Sequence, residues 1–247
     1  MLSQHELERF DRQIRIQGFG QEGQKKLKRA KVFIAGAGGL GSPASTYLAA
    51  AGIGTMRIVD PDRVELSNLE RQVLHWEEDI GRRKVASAAD KLKRLNQGMN
   101  LEAIEETITD TNVSKLVEGF DVIVDAMDNL PARYLLNKVA LEKNIPFFHG
   151  AVYGFWGSVM TIIPGETACL RCLYRGAIHE EKTPIVGVTP AVIGCIQATE
   201  VIKHILGIGQ LLTNRLLIYD GLNMKFTEFK VKKDPKCEHC GNSASRN

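Results

Sequence analysis

The sequence predicts an α/β fold: a mainly parallel sheet with helices on both faces, completed by C-terminal antiparallel strands and a cysteine knuckle. Three observations carry this. Short apolar runs alternate with segments of helical spacing over residues 1–150, the pattern of a parallel sheet with crossover helices. A glycine-rich turn, Gly36-Ala-Gly-Gly-Leu-Gly41, joins the first of those runs to a helical segment. Beyond residue 150 the alternation stops, and the chain closes with two strand-like runs and two Cys-x-x-Cys pairs.

Residues 3–14 place Leu7, Phe10 and Ile14 at helical spacing, with Ser3 as an N-cap and Glu6 three residues later. Residues 21–30 predict a second short helix. The run 31–35 is a buried strand, and the helix 43–51 carries Pro43 in its first turn. A strand at 55–60, a helix at 84–95 and a strand at 100–105 come next, then a buried strand at 121–126 and a helix at 130–143. Residues 146–149 open another strand. The strand 157–164 is not preceded by a helix, so the sheet changes character there. Residues 191–206 predict a late helix, 215–220 and 225–231 a closing hairpin, and the polar tail after Gly241 is expected to fray.

The chain has 247 residues, 44% hydrophobic and 25% charged, which excludes a largely disordered protein and allows one full core. A net charge of +3 without a Lys/Arg block argues against nucleic-acid binding. Five cysteines are too few for a disulfide scaffold. The uncharged stretches 32–56 and 144–165 are long enough to span a bilayer, but glycines and prolines break them. The first residues show no apolar signal core. A soluble, cytoplasmic protein without a membrane partner is expected.

Gly36, Gly38 and Gly41 fit G-x-G-x-x-G after a strand and before a helix, with Gly39 inside the turn. The first glycine permits the turn, the second lets a phosphate approach the backbone, and the third lets helix and strand pack. Phosphate then sits at the helix N-terminus. Asp60 ends the next strand, placed to bond ribose hydroxyls. This Rossmann-like motif alone does not choose between ATP, NAD and FAD. The residues beyond it decide. They read Asp60-Pro-Asp-Arg-Val-Glu-Leu-Ser-Asn68-Leu-Glu-Arg71-Gln72, then Lys84 at a helix start, then Asp128-Asn129 just past a strand. One rim thus carries a glycine loop, a carboxylate for ribose, cations for phosphates and a carboxylate for a metal, which suits a triphosphate with Mg2+.

These residues bring the chain to a known family. From Arg9-Phe-Asp-Arg12-Gln-Ile to Cys240-Gly it resembles the MoeB/ThiF/HesA family of ubiquitin-activating-like adenylyltransferases. The shared features are the R-Q-I start, G-x-G-G-L-G, D-x-D-x-V-x-x-S-N-L-x-R-Q, G-x-x-K, D-A-x-D-N and the two Cys-x-x-Cys pairs. The resemblance implies ATP-dependent adenylation of the C-terminal glycine of a small ubiquitin-like sulfur-carrier protein ending in Gly-Gly. It implies Asp60 on the ribose, Asn68, Arg71 and Lys84 around the phosphates, with Gln72 and Asn129 completing the nucleotide site, and Asp128 as the Mg2+ ligand. It also implies a homodimer in which Arg12 reaches the neighbouring subunit's phosphates. The expected organisation is a single adenylating domain: N-terminal helices (1–30), nucleotide-binding core (31–150), carrier-binding and zinc part (151–241) and tail (242–247). The chemistry agrees. A carboxylate must attack an anionic phosphate, so cations are required, and no general base is, because the carboxylate is already ionised.

Cys169-Leu-Arg-Cys172 and Cys237-Glu-His-Cys240 suit a closed, structural Zn2+ site of four thiolates. Disulfides or a redox pair are the alternatives, the first disfavoured by the intracellular reading. His239, between two of the cysteines, is expected to face solvent. Cys195 lies in an apolar run and is expected to be buried. Some members of the family carry a reactive cysteine in the loop before the late helix. Here residues 173–189 have none, only Tyr174, Thr183 and Thr189, which are poor nucleophiles without a base. Direct release of the acyl-adenylate is therefore expected.

Other readings stay open at this point: an adenylating dehydratase acting on a modified tRNA base, an NAD-linked oxidoreductase, or an inactive scaffold. The residues do not choose between a carrier for molybdopterin, for thiamin or for other sulfur metabolism. No rhodanese-like segment comes after Gly241, so a separate sulfur donor is expected.

Overall fold

The computed structural model describes residues 1–174 and 184–241. The tail 242–247, Thr183 and most of the 173–189 loop lie outside the described residues. The chain opens with α1 (Gln4–Arg9), α2 (Asp11–Ile14) and α3 (Gly20–Arg29). Ser3 caps α1 in a reciprocal capping box with Glu6. The single helix expected over 3–14 breaks at Phe10, which leaves helical geometry to pack its ring under Gly52, where a Cβ would lie 2.7 Å from it. Tertiary packing overrides local periodicity there.

The core is built from β1 (Lys31–Ala35), α4 (Gly41–Ala51), β2 (Thr55–Val59), α5 (Lys84–Leu95), β3 (Asn100–Ile104), α6 (Val113–Leu116), β4 (Val122–Asp125), α7 (Leu130–Glu142) and β5 (Phe147–Tyr153). Then come β6 (Trp156–Ile162), α8 (Leu170–Leu173), α9 (Val188–Leu206), β7 (Arg215–Asp220) and β8 (Lys225–Lys230). The late helix starts earlier than its apolar run implied, because Pro190 falls in the first turn, where its missing N–H costs nothing.

The eight strands among the described residues form one sheet, in the order β3-β2-β1-β4-β5-β6-β7-β8. The pairings from β3 to β5 are parallel, and those from β5 to β8 antiparallel. Alternate residues of β1 serve two cores. Val32 and Ile34 face Leu27 of α3, Leu48 of α4, Leu92 of α5 and Val201 of α9. Phe33 and Ala35 face Leu116 of α6, Leu136 of α7 and Leu170 of α8. Chain order runs outward from β1 to β3 on one side and from β4 to β5 on the other. The crevice beyond the carboxyl ends of β1 and β4 is therefore the switch point at which open α/β sheets bind ligands. Among the described residues no helix is long and apolar enough to cross a membrane.

Candidate active site and metal centre

The glycine loop leaves β1 at that switch point. Gly36 has φ +105°, and a Cβ there would lie 2.6 Å from the Ala126 carbonyl oxygen. A Cβ on Gly41 would sit 2.0 Å from the Gly36 oxygen, so the turn closes only with glycine at both ends. Gly39 packs against Pro190 of α9 and the stem of Arg71. Leu40, at the N-cap of α4, makes no side-chain capping bond. The amides of Gly38, Gly39 and Leu40 donate to no acceptor among the described residues.

Asp60 is buried at the end of β2. Its Oδ2 accepts the Ala37 N–H at 2.8 Å and its Oδ1 the Asp62 N–H at 2.8 Å. A carboxylate offers about four lone-pair sites, so these two bonds brace the loop and leave acceptors over. Asn68 is buried and accepts the Glu65 N–H at 3.1 Å, which fixes the turn leading to Arg71 and Gln72. Arg71 donates to the Ser67 carbonyl at 2.8 Å and pairs with Glu70, while Gln72 lies beside Gly38. Lys84 is buried along its stem, and its Nζ lies 2.8 Å from the exposed carboxylate of Asp62.

Asp128 and Asn129 are exposed on the opposite wall, beyond β4. Asn129 caps α7 by accepting the Ala132 N–H at 3.0 Å and donates to Asp128 at 3.3 Å. The structure thus gathers Gly36, Gly38, Gly39, Gly41, Asp60, Asn68, Arg71, Gln72, Lys84, Asp128 and Asn129 on elements that meet at one sheet edge. It does not bring Arg12 there. Arg12 is exposed on α2, whose neighbouring Gln13 donates to the Ala51 carbonyl at 2.7 Å, at the C-terminal end of α4. The glycine loop is at the other end of that helix, about 15 Å away at 1.5 Å per residue.

A buried network beneath the rim was not read from the sequence. Asp125 Oδ1 accepts the Met127 N–H at 3.1 Å, and Oδ2 lies 2.7 Å from His149 Nδ1. The carboxylate only accepts, so Nδ1 carries the proton and Nε2 receives the Tyr174 hydroxyl at 3.1 Å. Burial pushes His149 below its ordinary value even though Asp125 opposes this, so the ring is neutral. Arg133 donates to the Met127 carbonyl at 2.5 Å and the Gly150 carbonyl at 3.0 Å, and Gln197 donates to the Asp125 carbonyl at 2.7 Å. Together they hold the loop that carries Asp128. A charged Asp125 closing an otherwise apolar strand was the available signal.

The four cysteines converge. Their sulfurs all lie within 4.8 Å of one another, with Cys169–Cys237 at 3.7 Å and Cys172–Cys240 at 3.4 Å. A disulfide needs about 2.05 Å, whereas thiolates 2.3 Å from one zinc stand about 3.8 Å apart. The set therefore fits a tetrahedral Zn2+ site and not two disulfides. Asn137 of α7 clamps both knuckles: its Oδ1 accepts the Leu170 N–H at 2.9 Å and its Nδ2 donates to His239 at 2.8 Å. His239 is accordingly half-buried, not solvent-facing as expected, because one ring nitrogen is an acceptor for Asn137 and the ring packs edge-on to Tyr134.

Cys195 also departs from expectation. It is half-buried on α9, and partial burial raises its thiol above the ordinary value. Thr189 is buried and donates to the Gly154 carbonyl at 3.0 Å, and burial pushes the Tyr174 phenol up.

The ThiF family profile matches residues 10–239. The chain is 43% identical over 242 residues to the SAMP-activating enzyme E1 of Haloferax volcanii, spanning 96% of this chain and 89% of that protein. It is 40% identical over 255 residues to the sulfur carrier protein adenylyltransferase of Thermus thermophilus, spanning 99% and 94%. Among solved structures, E. coli MccB crystallised with AMPCPP and MccA superposes with a TM-score of 0.85 at 27% identity, covering 94% of this chain and 74% of that one. A family match over most of the chain and relatives of this identity over nearly their full length lead to one conclusion: the chain belongs to the ThiF family.

Proposed function

We propose that this protein is a sulfur-carrier protein adenylyltransferase. It activates the C-terminal glycine carboxylate of a small ubiquitin-like carrier ending in Gly-Gly with ATP. The observation that carries this is the convergence of a glycine loop, Asn68, Arg71, Lys84 and Asp128 at the switch point between β1 and β4. A nicotinamide enzyme has no use for that cationic set opposite a carboxylate. A carboxylate oxygen of the carrier forms a bond to the α-phosphorus. The bond from that phosphorus to the bridging oxygen breaks, and the electron pair leaves with pyrophosphate. Asp60 has free lone pairs for ribose hydroxyls, and the open amides after Gly36 face phosphate. Asn68, Arg71 and Lys84 bind and orient the leaving pyrophosphate, with Gln72 and Asn129 steadying the walls. Mg2+, held by Asp128, supplies charge neutralisation on the phosphates when bound.

In this reading the chain is one adenylating unit: N-terminal helices 1–30, nucleotide core 31–150, and a part over 151–241 that binds the carrier and one structural Zn2+. A separate protein donates sulfur, in a cytoplasmic pathway for molybdopterin, thiamin or a related product. Incubation with ATP, Mg2+ and a candidate carrier should yield a carrier–AMP species by intact-mass spectrometry. The same species with an adenylated tRNA fragment in place of the carrier would favour the tRNA-modifying alternative.

Arg12 lies far from its own glycine loop, so it serves the partner's site in a homodimer. Arg12→Ala and Asp128→Ala proteins, each inactive alone, should recover about a quarter of wild-type turnover when mixed and allowed to exchange subunits, because half the dimers are hybrids with one intact site. No recovery with demonstrated exchange would contradict this.

Carrier and enzyme form no covalent bond during turnover. The knuckle thiols belong to the metal, and Cys195 is half-buried with a raised thiol. Cys195→Ala should keep carrier–AMP formation and sulfur transfer within about twofold of wild type. A carrier–enzyme adduct on a non-reducing denaturing gel that vanishes in Cys195→Ala would overturn this.

A further inference from the structure

His75 is buried between the glycine loop and α5, outside every motif that the adenylation chemistry uses. Its Nε2 lies 2.9 Å from the Ala37 carbonyl oxygen and its Nδ1 2.9 Å from Ser87 Oγ. The carbonyl can only accept, so Nε2 carries the proton. Nδ1 is then the acceptor, and the Ser87 hydroxyl must donate to it. Ser87 Oγ in turn accepts from Lys91 Nζ at 2.9 Å. Lys91 is also paired with the buried carboxylate of Asp79, which accepts the Trp76 N–H at 2.9 Å. The proton order therefore runs one way, from Lys91 to Ser87 to His75 to Ala37. Burial pushes the imidazole below its ordinary value, which keeps it neutral as this order requires.

The consequence falls on the loop. The Ala37 N–H is pinned by Asp60 and the Ala37 C=O by His75. A peptide unit is planar and trans, so the C=O of one residue and the N–H of the next point in opposite directions. Holding the Ala37 carbonyl on His75 turns the Gly38 N–H away from His75, and that N–H has no acceptor among the described residues.

We propose that His75 is a positioning residue for nucleotide binding. As the neutral Nε2–H tautomer fixed by Ser87, it aims the Gly38 amide at a phosphate of ATP. This rests on reading the loop as the phosphate cradle. It separates His75 from a residue that merely fills the core, because only the donor at Nε2 matters. Glutamine can place a nitrogen donor near that position, and leucine cannot.

Isothermal titration of the full-length protein with ATP and Mg2+, beside pyrophosphate-exchange kinetics and thermal melting, tests it. His75→Leu should weaken ATP binding about tenfold, the size of one lost hydrogen bond to a preorganised loop, and raise the KM for ATP with kcat within about threefold. His75→Gln should restore binding to within about threefold of wild type. Ser87→Ala should fall between them. Nitrogen-15 spectra of the wild type should show His75 as the Nε2–H tautomer. ATP affinity unchanged in His75→Leu, or equally weakened in His75→Leu and His75→Gln in step with their melting temperatures, would overturn the proposal and leave the adenylation reading standing. Wild-type protein that binds no ATP would sink that reading, and this proposal with it.

Discussion

Asp128→Ala is expected to lower Mg2+-dependent ATP–pyrophosphate exchange by roughly 10³-fold or more, with little effect on the fold. On the proposed reading the catalytic loss comes from removing a carboxylate that would hold Mg2+ beside the phosphates, where a single preorganised electrostatic contact is worth about 10²–10³ in rate. The small effect on stability comes from its surroundings. Asp128 is exposed and accepts one bond of 3.3 Å from Asn129, while Asn129 itself caps α7. Substitutions at such surface positions usually change stability by about 0.5 kcal/mol or less. Exchange rates beside circular-dichroism melting curves check both parts. A variant that melts like wild type and exchanges at more than a tenth of its rate would remove Asp128 from the reaction.

The second large effect concerns the metal centre. Cys240→Ser, or zinc removal by a strong chelator, is expected to lower the melting temperature by about 10 °C. Such a loss corresponds to about 3–5 kcal/mol for a chain of this size. The knuckle cysteines Cys169, Cys172 and Cys237 are buried in the core that also holds Leu136, Leu170 and Phe147. Burial pushes the Cys169 thiol up to about 11, and without a dication to draw the four sulfurs together the knuckles lose the bonds that would join residues 169–172 to 237–240. Asn137 ties that unit to α7, eight residues and about 12 Å along the helix from its cap at Asn129. Destabilisation should therefore precede loss of activity during chelation, as the proposed metal centre stands apart from the proposed nucleotide site. Freshly purified protein with no zinc by elemental analysis, or an unchanged melting curve after chelation, would show that the cysteines pack without a metal.

The centre of the parallel half of the sheet was legible because β1 and β4, Lys31–Ala35 and Val122–Asp125, are buried on both faces and read as nearly unbroken apolar runs. The glycine loop was legible because Gly36 and Gly41 answer to backbone contacts that no other residue fits. The cysteines were legible as pairs, but only the fold shows that α7 and Asn137 bring the pairs together. Where the sequence reading failed, the deciding contact was long-range. Phe10 breaks a helix to reach Gly52, and His239 turns inward to Asn137. Asp125, His149, Arg133 and Gln197 assemble beneath the rim from four separate elements, and no local period marks them. Cys195 looked buried because its neighbours Ile193 and Ala198 are, yet on a helix of 19 residues its own position falls toward the margin of that face.

ATP–pyrophosphate exchange, measured with and without each candidate carrier, tests the central claim most directly. Labelled pyrophosphate should enter ATP only when Mg2+ and a carrier with an intact C-terminal Gly-Gly are both present, and truncation of that carrier by its last glycine should stop it. Absence of exchange with every such carrier, together with tight binding of NADH and none of ATP, would contradict the account.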